Sequence, residues 1–287
     1  MEKKSIYDKI VWGEPPSENI SLDDCEWYHI MEVPGVDGLT KGVFDLREDI
    51  SNIFGNLDFK NKTVLNLGPS TGYLNFEAER RGATVTSIDL SIDSEDRDWV
   101  IQMNTNWRKN LKSFMGDEKR RRNAFWYAHK ALKSKSKVII SHINNLPKEV
   151  ETHDIGIIFS VLLHIRDPYL ALMRMCSHIN DKIVITELGG YSEIPSLRNF
   201  LSNLIGKIFK KKRPPSMVFK PEFGRIASVW WKMSPEIITQ MLKMLGFGNF
   251  KVNYHYYLDA EGKKVFNFTV VGSRIIPLEK CDYDLDH

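Results

Sequence analysis

Apolar positions fall in short runs closed by glycine or by an acid, and the clearest example lies between Thr63 and Ser91. Val64, Leu65 and Leu67 suit a parallel strand covered on both faces, and Gly68 ends that run at once. Leu74, Phe76 and Ala78, interleaved with Glu77, Glu79, Arg80 and Arg81, predict a helix packed on one side and stopped by Gly82. Thr84 to Ile88 predicts a second strand, which delivers Asp89 to its carboxyl end. Strand, glycine turn, helix, strand and acid together make a βαβ half of the nucleotide-binding kind.

The same alternation continues. Val138 to Ser141, Ile155 to Ser160, Lys182 to Glu187, Phe250 to Tyr256 and Val265 to Gly272 predict five further strands. The link Leu258 to Lys264, with Asp259 and Gly262, is short enough for a hairpin and makes the last strand antiparallel. The expected fold is α/β, a doubly wound seven-stranded Rossmann-like sheet that binds its ligand at the carboxyl edge.

Three segments decorate a domain spanning 60–274, and a tail covers 275–287. The N-terminal arm, 1–59, carries Trp27, Tyr28 and His29, and reads equally as a cover over the cleft or over a sheet edge. The insertion at about 93–137 holds Trp99, Trp107, Trp126, Tyr127 and the basic run Lys119 to Arg122. Cations beside aromatics suit nucleic acid, but a helix with aromatics inward and a solvated basic face is the preferred reading. The insertion at about 189–231 has Leu197, Phe200, Leu201, Leu204, Ile205 and Ile208 at helical spacing, followed by Lys210 to Arg213. A lid, a dimer face and a membrane-surface element compete there with a core-packed helix ending in an exposed basic turn, which is preferred.

Composition narrows the class. With 287 residues, 42% of them hydrophobic, the chain can bury a sizeable core. A net charge of +3 gives no global case for nucleic acid. Cys25, Cys176 and Cys281 are odd in number and lack metal-ligand spacing, which points to a reducing compartment. The start has no apolar signal core and no run reaches membrane-spanning length, so a soluble cytoplasmic protein is expected.

Gly68 and Gly72 bracket a turn that lets a ligand approach the backbone, and Asp89 is placed to accept from ribose hydroxyls. Gly68-Pro69-Ser70-Thr71-Gly72 lacks the GxGxxG spacing of a dinucleotide site, so a nucleoside is the better ligand.

LNLGPSTGY followed by ERRGATVTSIDLS resembles motif I and the acidic loop of class I S-adenosylmethionine-dependent methyltransferases. NAFWYAHKAL, SHINNLP, FSVLLHIRDPYLAL and WWKMSPEIITQMLKMLGF, in that order, resemble successive segments of a subgroup related to the tRNA wobble-uridine (mo5U34-type) enzymes. Asn66 and Ser70 depart from the usual acid and middle glycine. The resemblance implies S-adenosylmethionine as cofactor. Gly68, Ser70 and Gly72 would surround its methionine part, with Asp89 on the ribose and Leu90 against the adenine. His142 and Ile143 would meet the adenine edge, and Tyr73 and Ser160 would line the pocket. Trp230 or Trp231 is a further lining residue or core.

Because a sulfonium methyl is already activated, such an enzyme needs chiefly alignment, with a general base only when the acceptor must lose a proton. His164, in the loop after the fourth strand, is the candidate base or substrate orienter; its structural alternative is a helix-entry histidine beside an Asp167 cap and Pro168. Glu187, at the end of the fifth strand, is a second candidate, or else pairs with a local arginine. The expected reaction is methyl transfer to oxygen or nitrogen of a small molecule, with oxygen preferred. A tRNA base and a catalytically silent nucleoside-binding module are the alternatives.

Overall fold

In the computed structural model, which describes residues 9–91, 107–189, 214–219 and 229–283, the period-two pattern of the strands sorts side chains into two cores. In β2 (Thr63–Leu67), Val64 faces one core with Phe54, Phe59 and Leu74, while Leu65 and Leu67 face the other with Ile88, Ile139 and Ile158. Both faces are therefore covered, which is why the run reads as continuously apolar.

The main sheet also contains β1 (Phe44–Asp45), β3 (Thr84–Asp89), β4 (Lys137–Ile140), β5 (His153–Phe159), β6 (Ile179–Leu188), β9 (Phe247–Asp259) and β10 (Lys264–Arg274). Its order is β1-β9-β10-β6-β5-β2-β3-β4. Strands β4, β3, β2, β5 and β6 are parallel, and β10 lies antiparallel to both β6 and β9. All seven expected strands are present, and the arm adds β1 as a short eighth one at the edge. The β9–β10 hairpin closes at Asp259, whose carboxylate accepts from the Glu261 and Lys263 amides. A separate hairpin pairs β7 (Met217–Phe219) with β8 (Trp231–Met233).

Among the described residues the α-helices are α1 (Ile50–Ile53), α2 (Tyr73–Arg80), α3 (Trp107–Ala131), α4 (Pro168–Cys176) and α5 (Pro235–Met244). The caps follow the sequence: Asp167 accepts from the Leu170 amide and Pro168 opens α4, while Ser234 and Pro235 do the same for α5. From β2 the chain proceeds outward to β3 and β4, then returns to β5 on the other side of β2. The crevice lies at that switch point, over the carboxyl ends of β2 and β5.

The arm both covers the cleft and guards edges. The Gly13 amide donates to the Val138 carbonyl (2.7 Å) and the Ile140 amide to that of Val11 (2.8 Å), closing the β4 edge. Tyr28 and His29 then lie over the cleft, and β1 pairs with β9 at the opposite edge. Gly42 makes the return possible, because a Cβ there would collide with the His29 carbonyl.

In the first insertion, α3 turns Phe125 and Trp126 into the core. Trp99, the amphipathic stretch from Leu197 to Ile208 and the run Lys210 to Arg213 lie outside the described residues.

Candidate active site

A cleft of about 420 Å³ opens at the switch point. Gly68 and Ser70 of the glycine turn, Asp89 and Leu90 after β3, His142 and Ile143 after β4, and Ser160 and His164 after β5 all line it. Four loops that are remote in sequence thus converge at one sheet edge.

Gly68 has φ +74°, and a Cβ there would come within 2.9 Å of Val161. Left-handed backbone and this close approach of the Val161 side chain together favour glycine at the turn. Ser70 and Ser160 both hold left-handed backbone, with φ +51° each, a conformation that costs a non-glycine residue about 1–2 kcal/mol.

Each carboxylate oxygen of Asp89 has a partner. Oδ1 accepts from the Leu90 amide (2.9 Å) and Oδ2 from Arg122 Nη2 of α3 (2.8 Å). Neighbouring Arg121 pairs with Glu118 and Glu26 and lies 5.4 Å from the Tyr28 ring centre, joining the arm to α3 over the cleft. Burial raises the Glu118 carboxyl above its ordinary range against the opposing pull of Arg121. Tyr28 is pushed up to about 12 by burial. Three arginines of the basic run in the first insertion thus hold the arm and the cleft, since Arg120 likewise donates to the Asp23 and Cys25 carbonyls.

His142 caps the turn Ile143–Asn145, its Nδ1 accepting from the Asn144 amide (3.2 Å). His164 closes the short turn Leu162–His164 and faces the cleft.

Three sequence candidates stand elsewhere, each for a packing reason. Gly72, φ +89°, caps α2 beneath the turn, and a Cβ there would strike the Phe76 and Phe125 rings. Tyr73 is buried behind the turn and borders a separate groove of about 1390 Å³ with Met31, Arg47 and Phe76, away from the cleft loops. Glu187 is 2% exposed and does not reach the cleft wall. Its Oε1 accepts from the Leu162 amide (2.9 Å), and the Val161 and Leu163 amides also bear on the carboxyl. Burial outweighs those amides and pushes the group up to about 8. Glu187 is a clamp on the loop that carries His164, and among the described residues no arginine pairs with it.

Asn66 also points away from the cleft. It donates to Asn75 (2.7 Å), which donates to Ser87, in a buried network under α2. Trp231 donates its indole N–H to the Ile165 and Arg166 carbonyls, and Trp230 lies near Phe219 (ring centres 6.1 Å apart) beside the same loop.

His29 is the residue that pattern reading missed as a site. It is 3% exposed, lines the cleft, and bonds through Nδ1 to Thr71 Oγ1 (3.0 Å), while its buried Nε2 has no partner among the described residues. Burial pushes it down to about 3, so the ring is neutral. Its place in an arm of irregular structure left no periodic signal to find it by.

No protein-family model matches the sequence, and no curated protein matches it. Solved structures do. The N-terminal domain of EvdMO1, crystallised in the presence of SAH and D-fucose, is 14% identical over 88% of this chain and 93% of that one, with a TM-score of 0.51. Magnesium protoporphyrin IX methyltransferase from Synechocystis PCC 6803 with bound SAH is 13% identical, covering 80% and 81%, with a TM-score of 0.47. A SAM-dependent methyltransferase from Methanosarcina mazei is 16% identical, covering 78% and 97%, also at 0.47. The strand order and the first of these likenesses give the chain the class I methyltransferase fold.

Proposed function

We propose that the protein is an S-adenosylmethionine-dependent methyltransferase acting on oxygen or nitrogen of a small molecule. The observation that carries this reading is the convergence of the Gly68 turn, Asp89 and the His142–Ile143 corner on one cleft at the switch point. The residues fit the cofactor: Gly68 leaves its backbone open at a turn where a Cβ would crowd Val161, and His29, which lines the cleft, has a buried ring nitrogen with no partner among the described residues. Gly68 and Ser70 would hold the methionine part, Asp89 the ribose, and Leu90, His142 and Ile143 the adenine.

When bound, the cofactor supplies a methyl group activated on a sulfonium sulfur. The chain's own work is placement and exclusion of water. Tyr28 and His29 roof the cleft, Ser160 and Val161 form the wall where the acceptor would enter, and Glu187 holds that wall by its amides. His164 would take the proton from an oxygen acceptor or orient it. Asp89 would share or exchange its Arg122 partner to receive ribose hydroxyls.

A small acceptor is favoured over a tRNA base because Phe125 and Trp126 of α3 are buried and its Arg121 and Arg122 are already paired. The finer kinship with wobble-uridine enzymes rests on the sequence segments and carries no acceptor with it.

Calorimetric titration with S-adenosylmethionine and S-adenosylhomocysteine tests the reading. Micromolar binding, lost in Asp89→Ala, is expected; binding of neither compound would overturn it. A panel of small acceptors, with tRNA at two salt concentrations beside it, then separates the acceptor classes. Binding with no turnover on any acceptor would leave a silent module.

A further inference from the structure

His29 reaches the cleft in a fixed orientation. Thr40 Oγ1 donates to the His29 carbonyl (2.7 Å) and accepts from the Met31 amide (3.0 Å), which locks this part of the arm. The His29 amide donates to Thr71 Oγ1 (3.3 Å), and the ring meets the same oxygen through Nδ1 (3.0 Å).

Those contacts set the tautomer. Thr71 is fully buried, and His29 Nδ1 is the acceptor within reach of its hydroxyl hydrogen among the described residues. Were Nδ1 protonated instead, that hydroxyl hydrogen would be buried without an acceptor, a costly arrangement. Thr71 therefore donates to Nδ1, and Nε2 carries the ring proton. A nitrogen that already holds a proton is no base, so His29 is a donor.

We propose that His29 binds the amino-acid carboxylate of the cofactor through Nε2–H, and so selects ligands that carry this group. The assignment rests on the methyltransferase reading above. Thr71 belongs to the same turn as Gly68 and Ser70, so the donor is tied to the end of the cleft where the methionine part would lie. The cations nearby are committed, Arg121 to Glu118 and Glu26, Arg122 to Asp89. Burial keeps the ring uncharged at neutral pH, and a donor shielded from water gives a strong bond to a carboxylate. A ligand without the carboxylate leaves the buried N–H unpaired, which is how sites discriminate sharply against an analogue that lacks one polar group.

The test compares S-adenosylmethionine with decarboxylated S-adenosylmethionine, which differ in this group alone, by calorimetric titration of the full chain. The wild-type protein is expected to prefer the carboxylate form by about 10–100-fold, and His29→Phe to bring the two within about 3-fold. Melting without ligand checks that the variant folds. Thr71→Val keeps the imidazole and frees its tautomer; a partial loss of the preference is expected. Nitrogen NMR of the wild-type ring should show a protonated Nε2 that does not change between pH 5 and 8.

A wild-type protein that binds both compounds equally, a His29→Phe variant that keeps the preference, or a ring protonated on Nδ1 would each overturn the assignment while leaving the methyltransferase reading in place. Failure of the wild-type protein to bind either compound would remove that reading and the assignment together.

Discussion

Asp89 and Glu187 are alike in sequence, each an acid at the carboxyl end of a parallel strand, yet the fold gives them opposite environments. Asp89, its side chain 27% exposed, stands on the cleft wall with a charged partner in Arg122. Glu187 sits below the wall, where backbone amides receive it among the described residues. Both strands are flanked on each side, β3 by β2 and β4 and β6 by β5 and β10, so the difference comes from what meets each strand end: α3 brings Arg122 to Asp89, whereas the Leu162–His164 turn lays its amides on Glu187. An acid at a strand end becomes a ligand group only where the next loop leaves it uncovered.

The largest break in this comparison should come from Glu187→Ala. It leaves the Leu162 amide and its neighbours without their acceptor and opens a void, a loss of about 2–4 kcal/mol in urea denaturation. A change within 0.5 kcal/mol would mean that the clamp is idle.

The pH dependence of stability should separate the two acids next. With Glu187 at about 8 in the folded protein, against an ordinary value of 4.5, the folded chain keeps a proton that the unfolded chain releases between those values. This contribution is complete below about pH 4.5 and is lost as pH rises towards 8, at up to about 1.4 kcal/mol per pH unit. Glu187→Gln cannot titrate, so the difference in stability between wild type and variant should drift in the variant's favour from pH 5 to 8. A parallel pair of curves would contradict the buried, protonated acid.

Asp89 should act on affinity instead. Asp89→Ala is expected to weaken S-adenosylhomocysteine about 10–100-fold by losing charge-assisted bonds, and to change stability by less than about 1 kcal/mol because its pair with Arg122 is part exposed. Stability lost without affinity would reverse the assignments of the two acids.

These two residues also show what pattern reading reaches. The strands were legible because both faces of each parallel strand are covered, and the α4 cap because Asp167 and Pro168 announce it locally. Gly68, Asp89 and the His142–Ile143 corner follow from their place in that frame. Glu187 as a clamp was not legible, since burial beneath the turn is a long-range outcome. The Arg122 partner of Asp89 and the His29 donor were hidden for the same reason: 33 residues separate the first pair and 42 separate His29 from Thr71. No local spacing encodes either contact.

The smallest effects should come from the two serines in left-handed backbone, one beside each acid's loop. Ser70→Gly and Ser160→Gly each relieve about 1–2 kcal/mol of strain and add about 0.5–1 kcal/mol of unfolded-state entropy, a net gain of about 0.5 kcal/mol in thermal unfolding. Their influence on affinity should differ. Ser160 lies on a wall that Glu187 holds by its amides, so Ser160→Gly should leave S-adenosylhomocysteine affinity within about 2-fold. Ser70 has no carboxylate clamp among the described contacts; its turn is held by the Gly72 amide on the Pro69 carbonyl and by Thr71 against His29, and Ser70→Gly should weaken binding by about 2–5-fold as added backbone freedom loosens the turn. Equal effects at both positions would show that the Glu187 clamp does not stiffen the wall, and would remove the contrast between the two acids at its most sensitive point.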